Sequence, residues 1–419
     1  MKRRQIIVVG GGASGLVAAI SAAREGAEVT IIEQKDRVGK KILSTGNGRC
    51  NLTNEYMRPD CFRGDDMNIV SKILEQFGYK ETIRFFEELG VVCKSRQGYM
   101  YPNSDQASTI LDVLRMELER LNINVLTEQS VLDINKTTKG FYVTTTKGSL
   151  YADALILATG GKAAPSLGSD GSGYLLAKKF GHSISPVVPA LVQLRAKGNE
   201  YKQVAGVRTQ AKVSVYIEDM VVADDTGELQ LTDYGFSGIP IFQISRFASK
   251  GLYEKKSVEL EIDFVPTMTD KEFSEFIYNR VEHHGYKTAE DFLLGVFHKK
   301  LSGMLLKAAH IPLKSSIYSL ENEQIEDLIH ICKHFRDVIT STNDFSQAQI
   351  CAGGVRTPEI DMATLESIYE DDLYLVGELL DVDGICGGYN LQWAWSTGFI
   401  AGKYAAKGKK YDSYRTSES

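Results

Sequence analysis

Three glycines near the start of the chain have the spacing of a phosphate-binding turn. They form Gly10-x-Gly12-x-x-Gly15, directly after the apolar run 5–9. Such a turn between a strand and a helix brings the backbone N–H groups of the helix N-terminus against a pyrophosphate. Glu33 follows 23 positions after Gly10, where dinucleotide-binding proteins place the acid that holds a ribose hydroxyl. The pattern predicts FAD or NAD rather than NADP, because a carboxylate repels a 2′-phosphate.

The run STGNGRC at 44–50 leaves two interpretations open. Gly46 and Gly48 favour a loop whose backbone lies against the cofactor, with Arg49 supplying charge. The alternative is that Cys50 is a reactive thiol. A dithiol flavoenzyme needs two cysteines close in sequence, and no cysteine precedes Cys61 after Cys50. A ligand-wrapping loop with a packed cysteine is therefore preferred.

Two further segments have the composition of ligand-binding turns. LILATGG at 155–161 reads as a buried strand that ends in glycines. LYLVGE leads into Gly377-Glu378, and GGYN then begins a helix at 387–390. The N-terminus of that helix would favour negative charge on a flavin ring and so raise its electron affinity. The two tryptophans of this helix have an alternative role as core residues.

Candidates for catalysis are weaker. Cys50 is one, and Cys386 lies just before the C-terminal helix, where it could touch substrate. Tyr234 and Ser237 belong to a glycine-containing segment that could line a pocket or form only a structural turn. We predict no metal site, because His330 and His334 lack a third ligand and no C-x-x-C pair occurs.

The elements that must position these residues follow from periodicity. Residues 5–33 read as strand, turn, helix and strand, and helices are predicted over 68–89 and from 104 or 105 to 121. SVLDIN, FYVTTT and SLYADALILA then form a β-meander that ends in a buried strand. Glycine-rich segments return after Ala352. We expect one nucleotide-binding domain built from both ends of the chain, 1–187 and 348–419.

The insert between these parts is predicted at 188–347. Its first part, 188–266, is strand-rich, with a turn at Asp-Thr-Gly 225–227 and a short helix near Gly238–Pro240. Its second part, 267–347, has helical periodicity. The fold class is therefore α/β: a Rossmann-type FAD-binding domain of the two-dinucleotide-binding-domain class, with a β-meander and an inserted β-rich and helical domain.

Composition narrows the range of partners. The 419 residues carry a net charge of −6, and no long Lys/Arg cluster suggests nucleic acid. No apolar run reaches the ~18–20 residues of a membrane span. The apolar start of the chain is shorter than a signal segment, and the six cysteines fit a reduced compartment. We expect a cytoplasmic protein that acts on a small molecule, with neither nucleic acid nor a membrane as partner.

The order of these motifs resembles a known family. GGGASG, STGNGRCNLTN, LATGG, GSDGSGY, CAGGV and GELLDVDGICGGYNLQWAWSTG are similar to the bacterial NAD(P)/FAD-dependent oxidoreductases of the BaiN/RdsA type, also labelled aminoacetone-oxidase-like. The resemblance covers essentially the whole chain, and LTDYGFSGIPIF looks like the family's FTHxGxSGP segment. Asp233 departs from the histidine of many members, and Ile239 precedes Pro240 where the proline often follows Ser-Gly directly.

The resemblance implies where FAD binds. Its pyrophosphate lies on the first glycine turn, its ribose on Glu33, its adenine beside Val131, and its flavin beside the 45–51 loop and the C-terminal helix. The implied cofactor residues are Gly10, Gly12, Ala13, Ser14, Gly15, Glu33, Gln34, Lys40, Lys41, Thr45, Gly46, Asn47, Gly48, Arg49, Cys50, Asn51, Val131, Ala158, Thr159, Gly160, Gly377, Glu378, Gly388, Asn390 and Leu391.

The expected activity is hydride transfer from NAD(P)H through flavin N5 to a small organic acceptor, such as a conjugated C=C bond. A second Rossmann fingerprint for NAD(P)H is not visible in the sequence, so a flavin oxidase acting on an amine or amino-ketone remains an alternative. A flavin-dependent RNA-modifying protein and a non-catalytic flavin sensor are the other rivals. The sequence does not indicate an oligomeric state.

Overall fold

The computed structural model describes residues 3–198 and 201–408. The chain divides into two compact units. One contains the chain up to Val187 and again from Ile350 onward, and the other is Val188–Gln349.

The strands, in chain order, are β1 (Gln5–Val9), β2 (Glu28–Ile32), β3 (Thr53–Asn54), β4 (Phe62–Gly64), β5 (Cys93–Arg96), β6 (Tyr99–Pro102), β7 (Asn124–Leu126), β8 (Val131–Thr137), β9 (Gly140–Thr145), β10 (Gly148–Ala152), β11 (Ala154–Leu157), β12 (Val188–Ala190), β13 (Leu194–Ala196), β14 (Arg208–Ile217), β15 (Met220–Leu231), β16 (Gly235–Gly238), β17 (Val258–Asp263), β18 (Phe335–Thr342), β19 (Ile350–Ala352), β20 (Leu373–Leu375) and β21 (Val382–Gly384).

The α-helices are α1 (Ala13–Arg24), α2 (Asn68–Gln76), α3 (Tyr79–Glu88), α4 (Ala107–Arg120), α5 (Ser172–Lys179), α6 (Tyr201–Val204), α7 (Ile239–Tyr253), α8 (Asp270–His284), α9 (Ala289–Phe292), α10 (Lys299–Ala308), α11 (Asn322–Lys333) and α12 (Tyr389–Lys407). A 3₁₀ segment covers Lys40–Gly48.

A parallel five-stranded sheet forms the centre of the first unit. Its strand order is β20-β11-β1-β2-β7. The apolar runs of β1 and β11 are buried almost completely, as expected for parallel strands covered on both faces. The predicted strand–turn–helix–strand at the start of the chain and the antiparallel meander of β8, β9 and β10 are confirmed. A Rossmann-type arrangement therefore places the first glycine turn at the carboxyl end of β1.

Two predicted elements of this unit are divided in the structure. The helix expected over 68–89 is two helices, because Gly78 is extended and caps α3. The strand expected over SLYADALILA separates into β10 and β11, which belong to two different sheets. The helix predicted to end near Leu121 is confirmed as α4, which begins at Ala107.

A closed six-stranded barrel forms the centre of the second unit, in the order β13-β16-β15-β14-β17-β18. The turn predicted at Asp-Thr-Gly 225–227 is wrong, because these residues lie inside the continuous strand β15 and pair with β14. The chain reverses instead at Glu218 and Asp219, whose positive φ values suit a two-residue hairpin. Local turn propensity is overridden by the pairing along the whole strand.

The helical content of the insert also differs from expectation. The helix near Gly238–Pro240 is not short, since α7 continues to Tyr253. The helical pattern predicted through 347 ends at Lys333, and Phe335–Thr342 is the strand β18 that pairs with both β13 and β17. The sequence pattern alone did not distinguish this short strand, in which apolar and polar residues alternate, from a continuation of the helix. Among the described residues, no helix is both long and apolar enough to cross a membrane.

Candidate functional site

The first glycine turn is built by close backbone contacts. Gly10 has a φ of +103°, and a Cβ atom there would lie 2.4 Å from the Ala158 carbonyl oxygen. A Cβ atom on Gly15 would lie 1.9 Å from the Gly10 carbonyl oxygen. A Cβ atom on Gly12 would meet no protein atom within 4 Å. The two outer glycines are thus required by packing, while the middle one leaves open space at the start of α1.

The N-terminus of α1 has the properties of an anion site. Gly12 is its N-cap, and within the described ranges no side chain caps it and no acidic residue occupies its first turn. The first N–H groups of a helix have no partner inside the helix, and they carry the positive end of the helix dipole. This end of α1 can therefore accept a phosphate.

Glu33 is held beside that turn by the backbone. Its Oε2 accepts the N–H of Gly11 at 2.8 Å, and its Oε1 accepts the N–H of Lys35 at 2.8 Å. Burial raises the pKa of Glu33, and these two hydrogen bonds act in the opposite direction. Each carboxylate oxygen has a second lone pair, so Glu33 can also accept hydroxyl groups of a ribose.

The 40–51 segment reaches the C-terminal part of the chain through Lys41. Its Nζ lies 2.8 Å from Glu378 Oε2 and 3.1 Å from the Ala163 carbonyl oxygen. Glu378 Oε1 accepts the N–H of Cys351 at 2.9 Å. Lys41 and Glu378, both predicted as cofactor-binding residues, thus form an ion pair although they are 337 positions apart in the sequence.

The glycine loop itself has left-handed backbone at Gly46 and Asn47. Gly46, Asn47, Gly48 and Arg49 are exposed, so the loop presents backbone and a guanidinium on its outer side. Cys50 is fully buried, and burial raises the pKa of its thiol to about 12. A neutral thiol of this kind packs as a small apolar residue and is a poor nucleophile.

Asn51 carries a buried polar atom without a partner. The residue is 8% exposed, and its Oδ1 accepts no hydrogen bond within the described part of the chain. This oxygen faces the start of α12, because a Cβ atom on Gly388 would lie 3.0 Å from it. A buried acceptor without a donor is costly, so a ligand donor at this position would stabilise the site.

The N-terminus of α12, like that of α1, has no side-chain cap. Gly388, with a φ of +94°, is the N-cap, and the described residues provide no capping side chain or acidic group there. Asn390 does not offer its side chain to a ligand, because its Nδ2 and Oδ1 both bond the backbone of Gly384 at 2.8 Å. Asn390 and the half-buried Leu391 can therefore contribute backbone N–H groups.

Two tryptophans hold the backbone around the site in place. The sequence had left open whether they have such a role or are only core residues. Trp393 donates its indole N–H to the Gly377 carbonyl oxygen at 3.1 Å, and Thr397 Oγ1 accepts the Gly377 N–H at 3.0 Å. Trp395 donates to the Leu52 carbonyl oxygen at 3.0 Å. Trp393 and Thr397 are one helical turn apart. This spacing is the sequence signal that both side chains lie on the same face of α12 and can reach one partner.

The crossing of α1 and α12 sets the distance between the two free helix ends. A Cβ atom on Gly398 would lie 2.3 Å from the Ser14 carbonyl oxygen, and one on Gly402 would lie 2.2 Å from the Ala18 carbonyl oxygen. A Cβ atom on Gly377 would lie 2.6 Å from Ser14 Oγ. Sequence reasoning missed this Gly-x-x-x-Gly contact, although the spacing is visible in the chain.

Several predicted residues use their side chains within the protein. Gln34 Nε2 donates to the Gly168 carbonyl oxygen at 2.7 Å, Lys40 pairs with Asp36, and Thr45 Oγ1 donates to the Ile42 carbonyl oxygen at 2.6 Å. Val131 begins β8 and is half-buried. Ala158 and Thr159, which follow β11, lie beside Gly10 of the first turn, whereas Gly160 approaches Ser169.

The predicted catalytic candidates belong to different units of the chain. Cys386 is half-buried between β21 and α12. Tyr234 belongs to the other unit, where its hydroxyl oxygen accepts a hydrogen bond from Asn343 Nδ2 at 3.0 Å. Among the described residues, no group of three or more His, Cys, Asp and Glu residues has the arrangement of a metal site.

These residues fit an FAD molecule. The open α1 N-terminus and Glu33 suit its pyrophosphate and ribose, and the unpartnered Asn51 Oδ1 beside the α12 N-terminus suits a polar ring with N–H donors and an electron-rich edge. The fold is that of an oxidoreductase with a Rossmann-type domain, and the chemistry of these residues suits FAD as its cofactor. The chain matches the family model described as HI0933-like protein Rossmann domain over residues 4–404, and it belongs to that family.

Named relatives extend over nearly the whole chain. The 3-dehydro-bile acid delta(4,6)-reductase of Clostridium scindens is 52% identical over 405 residues, which cover 96% of this chain and 99% of the relative. The ribosomal RNA dihydrouridine synthase of Escherichia coli is 28% identical, covering 95% and 96%. Among solved structures, a flavocytochrome c3 fumarate reductase in its open conformation has a TM-score of 0.50 at 16% identity, covering 97% of this chain and 78% of that one.

Proposed function

We propose that the protein transfers hydride from NAD(P)H, through bound FAD, to a C=C bond conjugated with a carbonyl group. The observation that carries the proposal is the 52% identity, over 99% of its length, to a reductase named for removing the Δ4 and Δ6 double bonds of a 3-oxo bile acid. In such a compound the double bonds are conjugated with the ketone. Conjugation makes the distal carbon electrophilic enough to accept hydride.

The residues of this chain would bind the cofactor and adjust its electronics. FAD supplies the capacity to take up and release a hydride. The α1 N-terminus and Glu33 would hold its pyrophosphate and ribose. The α12 N-terminus, fixed through Trp393 and Thr397, favours negative charge on a ring bound there, and so it would favour the reduced cofactor.

The distant relatives provide a second candidate function. Two of them, from Escherichia coli and Haemophilus influenzae, are named ribosomal RNA dihydrouridine synthases, at 28% and 26% identity. Dihydrouridine differs from uridine by a saturated C=C bond that was conjugated with a ring carbonyl, so the bond chemistry is the same. The higher identity of the bile acid reductase and the net charge of −6 favour a small molecule over RNA.

We also propose that the protein works in the cytoplasm.

Anaerobic absorption spectroscopy tests the proposal. The FAD-loaded protein is mixed first with NADH and then with NADPH, and bleaching of the flavin bands within the turnover time identifies the donor. Addition of a 3-oxo-Δ4 steroid should restore the oxidised spectrum, whereas a uridine-containing ribosomal RNA fragment should not.

Other results would assign a rival. Flavin bands that persist with both nucleotides but bleach with an amine or amino-ketone would indicate the oxidase. Bands that no substrate class changes would indicate a flavin sensor. A protein that binds no FAD after reconstitution would contradict the proposal at its first step.

A further inference from the structure

A small antiparallel sheet of the first unit places two tyrosines and two cationic side chains on one face. Its strand order is β3-β6-β5. Tyr101 pairs with Lys94, and Tyr99 pairs with Arg96. Residues directly opposite each other on antiparallel strands lie on the same face of the sheet. Tyr99 and Tyr101 are two positions apart on β6, so they share that face as well.

The glycine loop at 46–49 brings a third cation to this face. A Cβ atom on Gly46 would lie 3.7 Å from Tyr101 Cε1, so the Tyr101 ring lies against the loop. The Arg96 guanidinium lies 5.7 Å from the centroid of the same ring. Burial raises the pKa of Tyr101, and the nearby Arg49 and Arg96 act in the opposite direction. We call this surface the cationic face, and its residues are Arg49, Lys94, Arg96, Tyr99 and Tyr101.

The local charge of the cationic face is positive, although the whole chain carries −6. Asp105 Oδ2 accepts from both Lys94 Nζ and Arg96 Nη2 at 2.6 Å. Lys94, Arg96 and Arg49 all lower the pKa of Asp105, so the three cations act on the same place. Arg49 is exposed, and the described part of the chain gives its guanidinium no ion pair. The three cations therefore exceed the charge of the carboxylate that they surround.

One end of the cationic face reaches the N-terminus of α12. A Cβ atom on Gly387 would lie 2.8 Å from Tyr99 Cε1, so the Tyr99 ring lies against the residue that precedes the N-cap of α12. Asn54 pairs with Tyr99 across β3 and β6, and its Nδ2 donates to the Gly387 carbonyl oxygen at 3.1 Å. Tyr99 is 40% exposed. An exposed aromatic ring thus links the site proposed for the flavin ring to the cations.

We propose that the cationic face binds NADPH, with Arg49 and Arg96 on its phosphate groups and the nicotinamide ring against Tyr99. The proposal rests on the proposed function, which needs a hydride donor, and it names that donor and its site. A guanidinium pairs with phosphate oxygens through parallel N–H donors, and a tyrosine ring packs against a planar heterocycle. The reduced nicotinamide loses a hydride with its two electrons and becomes NADP⁺, and FAD accepts that hydride.

The local charge favours NADPH over NADH. NADPH carries an additional phosphate on its adenine ribose, and a positive surface binds the additional negative charge more tightly. Asp105 repels this phosphate only weakly, because Lys94 and Arg96 are paired with it. The first glycine turn has the opposite preference, because the Glu33 carboxylate disfavours a 2′-phosphate. The two nucleotides are therefore expected at chemically different sites of the same unit.

Three variants and one control test the cationic face. Arg49→Gln and Arg96→Gln each remove one charge, and Arg96→Lys keeps the charge but loses the planar donor pair. The matched control is Arg3→Gln, which removes the same charge at an exposed position. A Cβ atom on Gly408, just after α12, would lie 2.0 Å from Nη1 of the neighbouring Arg4, so Arg3 is near the other end of that helix. The control separates binding at the face from an effect of net charge.

The first measurement does not depend on turnover. The oxidised FAD-loaded protein is titrated calorimetrically with 2′,5′-ADP, the phosphorylated adenosine part of NADPH. The Kd should rise about 10- to 100-fold in Arg49→Gln and Arg96→Gln, rise less in Arg96→Lys and stay unchanged in Arg3→Gln. Equal affinities in all variants, or no binding, would overturn the proposal. Binding of a uridine-containing RNA in place of 2′,5′-ADP would assign the face to nucleic acid and overturn it as well.

The second measurement distinguishes this proposal from the proposed function. In a stopped-flow instrument, NADPH should reduce the bound FAD at lower concentration than NADH does, and Arg96→Gln should lose this preference. Faster reduction by NADH would overturn the proposal. NADPH that reduces FAD without any later reduction of a 3-oxo-Δ4 steroid would leave the site standing and contradict the proposed function. Steroid reduction by dithionite-reduced protein that NADPH does not reduce would contradict the site alone.

Discussion

Glu33 illustrates how much of the candidate site is set by single side chains. Its residue type and its distance from Gly10 are readable in the sequence, but its two bonds to the N–H groups of Gly11 and Lys35 are not. These bonds fix both carboxylate oxygens in a buried place. A ribose can then be held only by the lone pairs that remain.

Replacing Glu33 by Gln should weaken FAD binding about tenfold or more. An amide cannot accept from both Gly11 and Lys35, so one N–H group loses its partner and the ribose contact loses a charged acceptor. Fluorescence titration of the apoprotein with FAD gives the Kd. Glu28→Gln, at an exposed position in the same strand β2, is the control and should leave the Kd unchanged. Equal affinities for both variants would contradict this role of Glu33.

Replacing Cys50 by Ala should leave turnover within about threefold of the unmodified protein. The thiol is fully buried and its pKa is raised to about 12, so no thiolate is available near neutral pH. The expected loss is in stability, about 1 kcal/mol for the small cavity. Cys332→Ala is the matched control, because that thiol is equally buried in the other unit. A loss of turnover above 100-fold with FAD still bound would make Cys50 catalytic.

At the scale of elements, the crossing of α1 and α12 matters more than either helix alone. Both helices present an uncapped N-terminus, and the glycines at 398 and 402 allow their backbones to approach within contact distance. The two positive helix ends are therefore held at a fixed separation. Each helix is visible in the sequence pattern, but the pattern does not say that they cross.

Gly398→Ala should destabilise the protein by about 1–3 kcal/mol and weaken FAD binding. The new methyl group would lie 2.3 Å from the Ser14 carbonyl oxygen, so the helices must separate. Chemical unfolding and FAD titration measure the two effects. The matched control is Gly303→Ala in α10, where a Cβ atom meets nothing within 4 Å. That variant should gain about 0.5–1 kcal/mol from helix propensity. A Gly398→Ala protein as stable as the unmodified one would refute the close crossing.

At the scale of the whole molecule, chain segments that are far apart in sequence complete one unit. β20 pairs with β11, which pairs with β1, so the central sheet needs both the first and the last part of the chain. The buried His182 also joins segments from the first and the last part of the chain. Its Nε2 lies 2.8 Å from Ser367 Oγ, and its Nδ1 lies 3.4 Å from Glu359 Oε2.

This unit should lose stability as the pH falls below 6.5. Burial lowers the pKa of His182 from 6.5, and Glu359 opposes that shift only in part. The unfolded chain therefore takes up a proton at higher pH than the folded chain does. The contribution of His182 to the free energy of unfolding is fully present above pH 6.5. It decreases as the pH falls from 6.5 to the lowered pKa of the folded state, by at most about 1.4 kcal/mol per pH unit.

Urea unfolding at pH 7.5, 6.5 and 5.5 measures this effect. His182→Gln keeps a donor for Ser367 without the titration, and its pH dependence should be flatter. His283→Gln, at an exposed position in the other unit, is the control and should keep the original slope. An unchanged slope in His182→Gln would assign the acid sensitivity to other groups.

The sequence by itself determined the elements whose signals are local. The glycine spacing after β1, the acid at the end of β2, the meander and the C-terminal helix could be predicted because each depends on the periodicity or the turn chemistry of a few consecutive residues. The motif order also carried the family resemblance.

Tertiary structure alone decided what depends on distant partners. Asp225–Gly227 has the composition of a turn, yet pairing along β14 makes it strand. Asn390 has the type of a ligand-binding residue, yet Gly384 takes both its polar atoms. The Lys41–Glu378 pair and the Arg195–Asn343–Tyr234 cluster join residues more than 100 positions apart. Local propensity cannot encode such contacts, because their energy exists only once the two segments meet.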